Sequence, residues 1–287
     1  MARGLVYVPG AKNQPATAGF LLPASAILGW MATWLDLARV EERLATRFVG
    51  RRLIYLTRTT STMNVARAEA ANNAPDGAAV LAEEQTAGRG RLGRAWVAPP
   101  GVNIYVTVIM RPPADKLRVL SIVAPLAVAD ALEAAAGLSS TFKWPNDVLA
   151  GGRKIAGILI ELTGDEAKSA LVGVGLNVNF DVEAVPEIAA IATSVRRETG
   201  RDASREDILA ALLNAFEDRY QQALSGDGAF DDWRARLETL GKRVRATLPD
   251  RVEEGLAEDV DDDGSLRIRR DDGSLVSVDA GDVTLSA

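Results

Sequence analysis

The sequence predicts an α+β fold in which a larger domain is followed by a small β module. Strand-like and helix-like segments are interleaved up to about residue 240, but without the regular strand–helix–strand repeat of a parallel α/β protein. From Gly241 onward the segments become short and alternating, with Asp263-Gly264 and Asp272-Gly273 as hairpin turns. These observations predict three regions: an upstream extension at 1–30, a main domain at 31–240 and a β module at 241–287.

Each element of the main domain has its own signal. Apolar residues at helical spacing predict helices over 34–48, 115–137, 204–224 and 228–240. Ser61 or Thr60 can cap a further helix over 62–73, which stops near Pro75. Short β-prone runs predict the strands, and the turn at Gly164-Asp165 predicts that the last two form a hairpin. The predicted strands are 51–57, 78–84, 103–110, 140–144, 153–163 and 168–178.

The first thirty residues are expected to stand apart from the folded domain. Their apolar segment, AGFLLPASAILGW, faintly resembles a signal peptide, but Pro23 interrupts it and positive residues are sparse. A cleaner amphipathic pattern begins after Met31. We therefore expect 1–30 to be a poorly ordered upstream extension. Because the chain has no run of 18 uninterrupted apolar residues, no membrane-spanning helix is expected.

Composition narrows the chemistry that the chain can perform. The 287 residues are 47% hydrophobic, enough for a packed core, and carry a net charge of -6, which argues against nonspecific nucleic-acid binding. The chain contains no cysteine and no histidine. Disulfides, Cys/His zinc sites and Cys–His or Ser–His–Asp catalysis are therefore excluded, and a reducing compartment is expected. A reaction centred on phosphate remains possible because it needs only positioning and charge.

Residues 88–94, Gly-Arg-Gly-Arg-Leu-Gly-Arg, are the most informative segment. Glycines let backbone N–H groups close on an anion, and arginines add permanently charged planar donors. The alternative is a solvated basic turn. The same letters match the dinucleotide-binding Gly-x-Gly-x-x-Gly pattern, but no helix begins at Gly93. A P-loop ending is missing, and without histidine there is no kinase catalytic segment.

Three other clusters carry polar groups suited to the same ligand. Residues 61–64 (Ser-Thr-Met-Asn) open a helix, where hydroxyls can hold a polar head group or simply cap the helix. Residues 143–147 (Lys-Trp-Pro-Asn-Asp) follow a strand; a tight turn would explain their last three positions only. Lys154 begins an apolar strand, so its ammonium is expected in a cleft, the alternative being a solvated strand end.

Together these motifs closely resemble those of the bacterial biotin–protein ligases, in the form without a helix-turn-helix domain. The resemblance runs from about Ile54 to Asn179 through STMN, EEQTAGRGRLGRAW, KWPNDV and RKIAGILIE, and the C-terminal module also fits the family. It implies a class II synthetase-like core, built as a mixed central sheet with flanking helices, and a small C-terminal SH3-like β barrel. It also implies a two-step reaction in which biotin and ATP give biotinyl-5′-AMP, and a protein lysine then takes the biotin.

The resemblance assigns roles to individual residues. Lys154, Arg89 and Arg91 are expected to be catalytic, and the glycines of Val172-Gly173-Val174-Gly175 to allow close packing on the ligand. Asp147 is expected to orient Lys154, to orient the acceptor lysine or to support Mg²⁺, whereas Mg²⁺ itself is expected mainly on ATP. Met63 stands where the family more often has Asn. The residues expected to contact biotin or the adenylate are Ser61, Thr62, Met63, Gln85, Gly88, Arg89, Gly90, Arg91, Trp96, Lys143, Asn146, Asp147, Lys154 and Gly157.

The resemblance also implies partners and rivals. The acceptor is expected to be the biotin carboxyl carrier protein or domain of acetyl-CoA carboxylase, in the cytoplasm, with a possible homodimer and no nucleic acid or membrane. A lipoate–protein ligase is the nearest alternative. A ligase that is also a DNA-binding repressor is a second alternative, disfavoured because the residues before the core are poor in basic positions. A catalytically dead binding module is the third, disfavoured by the intact arginines and Lys154.

Overall fold

A computed structural model describes residues 6–8, 34–164, 169–248, 250–279 and 281–285. Of the expected upstream extension, only the backbone of Val6–Val8 belongs to these residues, as a strand parallel to Leu53–Leu56. The rest of 1–30 lies outside the described residues, and its expected disorder stays a prediction.

A mixed eight-stranded sheet forms the larger part of the fold; the mixed central sheet is as expected, whereas the strands at 6–8 and 147–150 were not predicted. Its order is β1-β2-β3-β4-β8-β7-β6-β5. The first three strands are parallel and the remaining neighbours are antiparallel. The strands are β1 (Val6–Val8), β2 (Leu53–Leu56), β3 (Ala79–Ala82), β4 (Ile104–Met110), β5 (Thr141–Lys143), β6 (Asp147–Ala150), β7 (Arg153–Thr163) and β8 (Ser169–Leu176).

Helices flank this sheet. Within the described residues they are α1 (Leu37–Arg43), α2 (Thr62–Ala71), α3 (Leu120–Ala136), α4 (Pro186–Ala189), α5 (Val195–Thr199), α6 (Arg205–Ser225) and α7 (Ala229–Ala235). Short 3₁₀ turns occur at Arg91–Gly93, Ala114–Val119 and Val182–Ala184. The long helices α3 and α6 pack on each other, with Leu126, Leu213 and Phe216 almost fully buried in the main core.

Helix α1 is shorter than the predicted 34–48. Asp36 caps its start, accepting from the backbone N–H groups of Ala38 and Arg39. Beyond its end, the buried carboxylate of Glu217 accepts the backbone N–H groups of residues 47–49 at 2.6, 3.0 and 2.9 Å. Those donors therefore cannot make helical hydrogen bonds, a long-range effect that local periodicity does not report.

The continuous helical stretch Ala114–Ala136 is long and apolar enough to cross a membrane by length and composition alone. The sequence-based expectation is that no helix spans a membrane, and a test of length and composition alone does not contradict it. The stretch lies inside the fold, and Leu120, Val123 and Leu126 on α3 are fully buried. Packing against α6 and the sheet therefore accounts for its apolar character.

The C-terminal residues form a separate five-stranded antiparallel sheet in the order β12-β11-β10-β9-β13. Trp144 links it to the larger sheet. Its indole Nε1 donates to the carbonyl oxygen of Gly264 at 2.9 Å, and its backbone N–H donates to Thr239 Oγ1 at 2.9 Å. The strands are β9 (Arg243–Thr247), β10 (Val252–Val260), β11 (Leu266–Arg269), β12 (Leu275–Val278) and β13 (Asp282–Leu285).

The predicted hairpin of β7 and β8 positions the candidate site. Its register places Gly157 opposite Gly175 and Leu159 opposite Gly173. Both pairs are near the middle of the sheet, because β8 also pairs with β4. The hairpin therefore presents a strip with few side chains on one face of the sheet.

Candidate functional site

A cavity of about 520 Å³ opens over this glycine strip. Its walls come from the start of α2, the loop between β3 and β4, the β5–β6 turn, strands β7 and β8, and residues 188–192. Gly281 and Val283 of the C-terminal sheet reach its edge. Among the residues predicted to contact ligand, all except Gly88 line this cavity. The four sequence motifs therefore meet in one place.

The start of α2 forms a polar corner of the cavity. Ser61 caps the helix, its Oγ accepting from the backbone N–H of Met63 at 3.3 Å. Gln85 Oε1 accepts from the backbone N–H of Thr62 at 2.8 Å and from Thr62 Oγ1 at 3.1 Å. Buried Thr107 on β4 donates to Thr62 Oγ1 at 2.8 Å. Because the oxygen of Gln85 is used, the amide NH₂ is the group it can offer to a ligand.

The floor of the cavity is formed by strand glycines, which have no side chains. A Cβ on Gly175 would lie 2.6 Å from Trp96 Cε2, and one on Gly157 would lie 2.9 Å from Trp96 Cζ3. A Cβ on Gly173 would lie 2.9 Å from Met63 Sδ. Such distances are far below normal contact, so these strand glycines permit Trp96 and Met63 to approach the sheet. The buried Nε1 of Trp96 has no hydrogen-bond partner here, so an acceptor on a ligand would satisfy it.

Lys154 is a cation of the cavity that is held by several contacts. Its Nζ lies 2.6 Å from Asp147 Oδ1 and 5.3 Å from the ring centroid of Trp96. Its backbone is anchored on both sides, since its N–H donates to the carbonyl of Ile191 at 2.9 Å and its carbonyl accepts from Thr193 at 2.8 Å. A carboxylate and an aromatic face together hold the ammonium in a fixed direction.

The turn at 143–147 supports this arrangement. Asn146 Nδ2 donates to the carbonyl of Ile158 at 2.9 Å, and the N–H of Ile158 donates to the carbonyl of Asn146 at 3.0 Å. The turn is thereby attached to β7. Lys143 lies opposite Asp147 in the β5–β6 pair and faces the same cavity. Trp144 also lines the cavity, and its indole holds the C-terminal sheet, a contact that a simple turn does not explain.

The arginine loop covers the cavity as a small closed hairpin. The N–H of Gly90 donates to the carbonyl of Arg94 at 2.7 Å, and the N–H of Trp96 donates to the carbonyl of Gly88 at 2.9 Å. These two N–H groups are therefore not directed at an anion in this conformation. Gly88 does not line the cavity; a Cβ there would lie 2.7 Å from the carbonyl oxygen of Trp96. Arg91 and Arg94 line the cavity.

Arg89 of this loop reaches the body of the protein. Its Nη2 donates to Asn64 Oδ1 at 2.9 Å and lies 3.8 Å from Glu161 Oε2. Neither this contact nor the hydroxyl support from Thr107 was predicted from the sequence. The sequence contains only weak signals of these two contacts: Glu161 is an acidic residue near the end of one apolar strand, and Thr107 is a threonine within another.

The geometry agrees with comparisons to known proteins. Residues 53–179 match the biotin/lipoate A/B protein ligase family, and residues 239–286 match the biotin protein ligase C-terminal domain. A biotin--[acetyl-CoA-carboxylase] ligase of Paracoccus denitrificans is 41% identical over 235 residues, covering 77% of this chain and 95% of that protein. The chain belongs to the biotin protein ligase family.

Other biotin protein ligases extend the comparison. The biotin--[acetyl-CoA-carboxylase] ligase of Mycobacterium tuberculosis is 39% identical over 257 residues, covering 85% of this chain and 94% of the relative. The biotin protein ligase of Aquifex aeolicus, solved in complex with biotin and ATP, has a TM-score of 0.71 and 28% identity, covering 82% of this chain and 98% of that chain. A bifunctional ligase/repressor of Bacillus spizizenii is 35% identical over 248 residues, covering 83% of this chain and 76% of the relative.

Proposed function

We propose that the chain is a biotin–protein ligase. Biotin's carboxylate attacks the α-phosphate of ATP to give biotinyl-5′-AMP and pyrophosphate, and a lysine amine of a carrier protein then attacks the activated carbonyl and releases AMP. The observation that carries this proposal is the Lys154–Asp147 pair, which lies 2.6 Å apart at a glycine-floored cavity under the arginine loop. No covalent enzyme intermediate is needed, so a chain without cysteine or histidine can do it.

The cations of the cavity offset the main obstacle to the first step, which is the repulsion between the carboxylate of biotin and the phosphates of ATP. Two unit negative charges 4 Å apart repel by about 4 kcal/mol at an effective dielectric constant of 20. Lys154 binds the carboxylate of biotin and the charge that develops on phosphate, with Asp147 holding its ammonium in place. Arg89 and Arg91 close the loop over the adenylate. Lys143 faces the cavity from the β5–β6 turn and adds a further positive charge near the nucleotide.

The polar corner at α2 suits the head group of biotin. Ser61, Thr62 and the amide of Gln85 offer hydrogen bonds, and Met63 adds an apolar thioether. Trp96, Asn146 and Gly157 lie nearer Lys154 and suit the nucleotide. Gly88 and Gly90 serve the shape of the loop.

We propose that Mg²⁺ arrives with ATP and not on a metal site of the chain. Asp147 is engaged by Lys154, and no group of three metal-ligating side chains occurs among the residues that the structure describes. The triphosphate therefore supplies the main ligands for the ion, whose bound charge would offset the negative charge of the leaving pyrophosphate.

The remaining parts of the proposal follow the family. The acceptor is a biotin carboxyl carrier protein or domain of acetyl-CoA carboxylase, the location is cytoplasmic, and a homodimer is possible. Residues 31–240 form the catalytic domain and 241–287 the C-terminal domain, preceded by an extension at 1–30. Nucleic acid and membranes are not expected as partners.

Exchange of labelled pyrophosphate into ATP tests the proposed function. We expect exchange that depends on biotin and is far weaker with lipoate, which separates the two ligase activities. Labelled biotin should then reach a carrier domain but not a carrier whose acceptor lysine is replaced. Equal or greater exchange with lipoate, or none with biotin, would reject the assignment.

A further inference from the structure

Glu161 lies at the far end of β7 from Lys154 and contacts two arginines. Its Oε2 accepts a hydrogen bond from Arg67 of α2 and lies 3.8 Å from Nη2 of Arg89 in the loop. Seven residues of extended strand place it roughly 20 Å from Lys154 along β7. Glu161 is therefore too distant to act at the carboxylate or phosphate held by Lys154.

Asn64 completes this contact from the helix. Its Nδ2 donates to Thr60 Oγ1 at 3.2 Å, which leaves its Oδ1 to accept from Arg89 at 2.9 Å. Asn64 and Arg67 are three residues apart on α2 and so lie on the same side of the helix. Arg89 thus connects the loop to α2 directly and to β7 through Glu161.

Two of the contacts that attach the loop to the body of the protein are well separated. Arg89 holds one side, and Trp96 holds the other by lying over Gly157 and Gly175. The loop's own hydrogen bonds, such as Gly90 N–H to the Arg94 carbonyl, do not attach it to the rest of the protein. Loss of the Arg89 contact would therefore weaken the attachment of the loop to α2 and β7 while leaving the floor and Lys154 in place.

We propose that Glu161 is a positioning residue that keeps the arginine loop closed over the acyl-adenylate, acting through Arg67 and Arg89; this rests on the proposed function. Without its negative charge, two guanidinium groups would face each other with no anion between them. The loop would then open more often, and the intermediate would escape before the acceptor lysine arrives. Glu161 limits this escape without taking part in the chemistry of activation.

The chain provides a matched control for this idea. Glu69 lies on helix α2, its side chain is 28% exposed as is that of Glu161, and it pairs with an arginine, Arg52, at 3.3 Å. Glu69→Gln removes the same charge without contacting the loop. Trypsin can report loop opening, because Arg89, Arg91 and Arg94 are cleavage sites within it.

We expect Glu161→Gln to raise both trypsin cleavage of the loop and release of diffusible biotinyl-adenylate by about fivefold, the size expected for an ion pair worth about 1 kcal/mol. Biotin-dependent pyrophosphate exchange at saturating biotin should stay within about twofold of the original protein, because ion pairs of this size contribute little elsewhere. Glu161→Asp should restore part of the protection, and Glu69→Gln should change neither readout.

The proposal is overturned if Glu161→Gln matches Glu69→Gln in loop cleavage and in adenylate release, or if exchange falls while release does not rise. Asn64→Ala supplies a second variant should Glu161→Gln fold poorly; it should raise loop cleavage, and unchanged cleavage would reject the anchor. If the unmodified protein shows no biotin-dependent exchange, the proposed function fails, whereas trypsin cleavage still decides whether Glu161 holds the loop.

Discussion

Lys154 Nζ and Asp147 Oδ1 lie 2.6 Å apart across the β6–β7 hairpin, at the edge of the cavity. Asp147 lies opposite Gly157 in the sheet register. Because Gly157 has no side chain, none separates the Asp147 carboxylate from the ammonium of Lys154. The Lys154 side chain also lies beside the ring of Trp96, which packs over the same residue, Gly157. The hairpin therefore fixes the direction of the Lys154 ammonium without help from a ligand.

Replacing Arg91 should separate activation from transfer. Arg91 lines the cavity from the loop, so Arg91→Gly removes a cation from the roof and adds backbone freedom. We expect biotinyl-adenylate to diffuse from the enzyme and to label lysines of bystander proteins. Measuring adenylate in a filtrate of the reaction checks this, and a filtrate with no more adenylate than that of the unmodified protein would contradict it.

Adding a methyl group at Gly175 should displace Trp96. The new Cβ would lie 2.6 Å from Trp96 Cε2, so the indole must leave the floor of the cavity. We expect Gly175→Ala to lower biotin-dependent exchange by about tenfold, equivalent to roughly 1.4 kcal/mol of lost stabilisation. If the cause is steric, Gly175→Ala should lower exchange much less in a Trp96→Phe background than in the original protein, whereas unimpaired exchange in the Gly175→Ala single variant would refute it.

Local pattern predicts much of this site because four motifs each lie within one element and its adjoining turn. The β7–β8 hairpin follows from two β-prone runs joined by the turn at Gly164-Asp165, and its register then brings Gly157 opposite Gly175. Contacts between segments that are distant in the sequence do not follow from local pattern. The pairing of Arg89 with Glu161 depends on how a loop crosses the sheet, and the early end of α1 depends on Glu217 of another helix. Neither the Arg89–Glu161 contact nor the early end of α1 produces a periodic pattern in the local sequence.

A buried ion pair is expected to control stability away from the cavity. Arg205 Nη1 lies 2.7 Å from Glu83 Oε2, with side chains 3% and 0% exposed. Glu83 also accepts from the backbone N–H of Leu35 at 2.7 Å and from the hydroxyl of Tyr55. Arg205→Ala strands a buried carboxylate, so we expect a loss of about 3–5 kcal/mol of unfolding free energy.

Urea-induced unfolding measures that loss. The exposed pair of Arg245 and Glu254, with side chains 58% and 55% exposed, provides the comparison. Arg245→Ala should change the unfolding midpoint little, because exposed pairs are screened by water. An equal effect of the two substitutions would contradict the assigned importance of burial.

Alkaline pH should destabilise the protein through its buried tyrosines. Burial raises the pKa of Tyr105 above the ordinary value of 10.0. Above that pH the unfolded chain releases the phenolic proton while the folded protein keeps it, so stability falls as pH rises. Each such tyrosine contributes about 1.4 kcal/mol per pH unit in this window.

Tyr105→Phe isolates one of these contributions. The variant should be less stable near pH 8, because Asn103 Nδ2 and the carbonyl of Pro99 lose hydrogen bonds of 3.0 Å to the phenol. The difference from the original protein should narrow above pH 10 by about 1.4 kcal/mol per unit. Denaturant unfolding at several pH values checks this, and a constant difference would reject it.

Biotin-dependent exchange of labelled pyrophosphate into ATP by Lys154→Ala tests the central claim most directly. Lys242→Ala is the control, since Lys242 also lies 2.6 Å from a carboxylate, that of Glu238, but does not line the cavity. We predict that Lys154→Ala lowers exchange by about 10²–10³-fold with an unchanged thermal midpoint, while Lys242→Ala retains exchange. Full exchange by a folded Lys154→Ala protein would contradict the account.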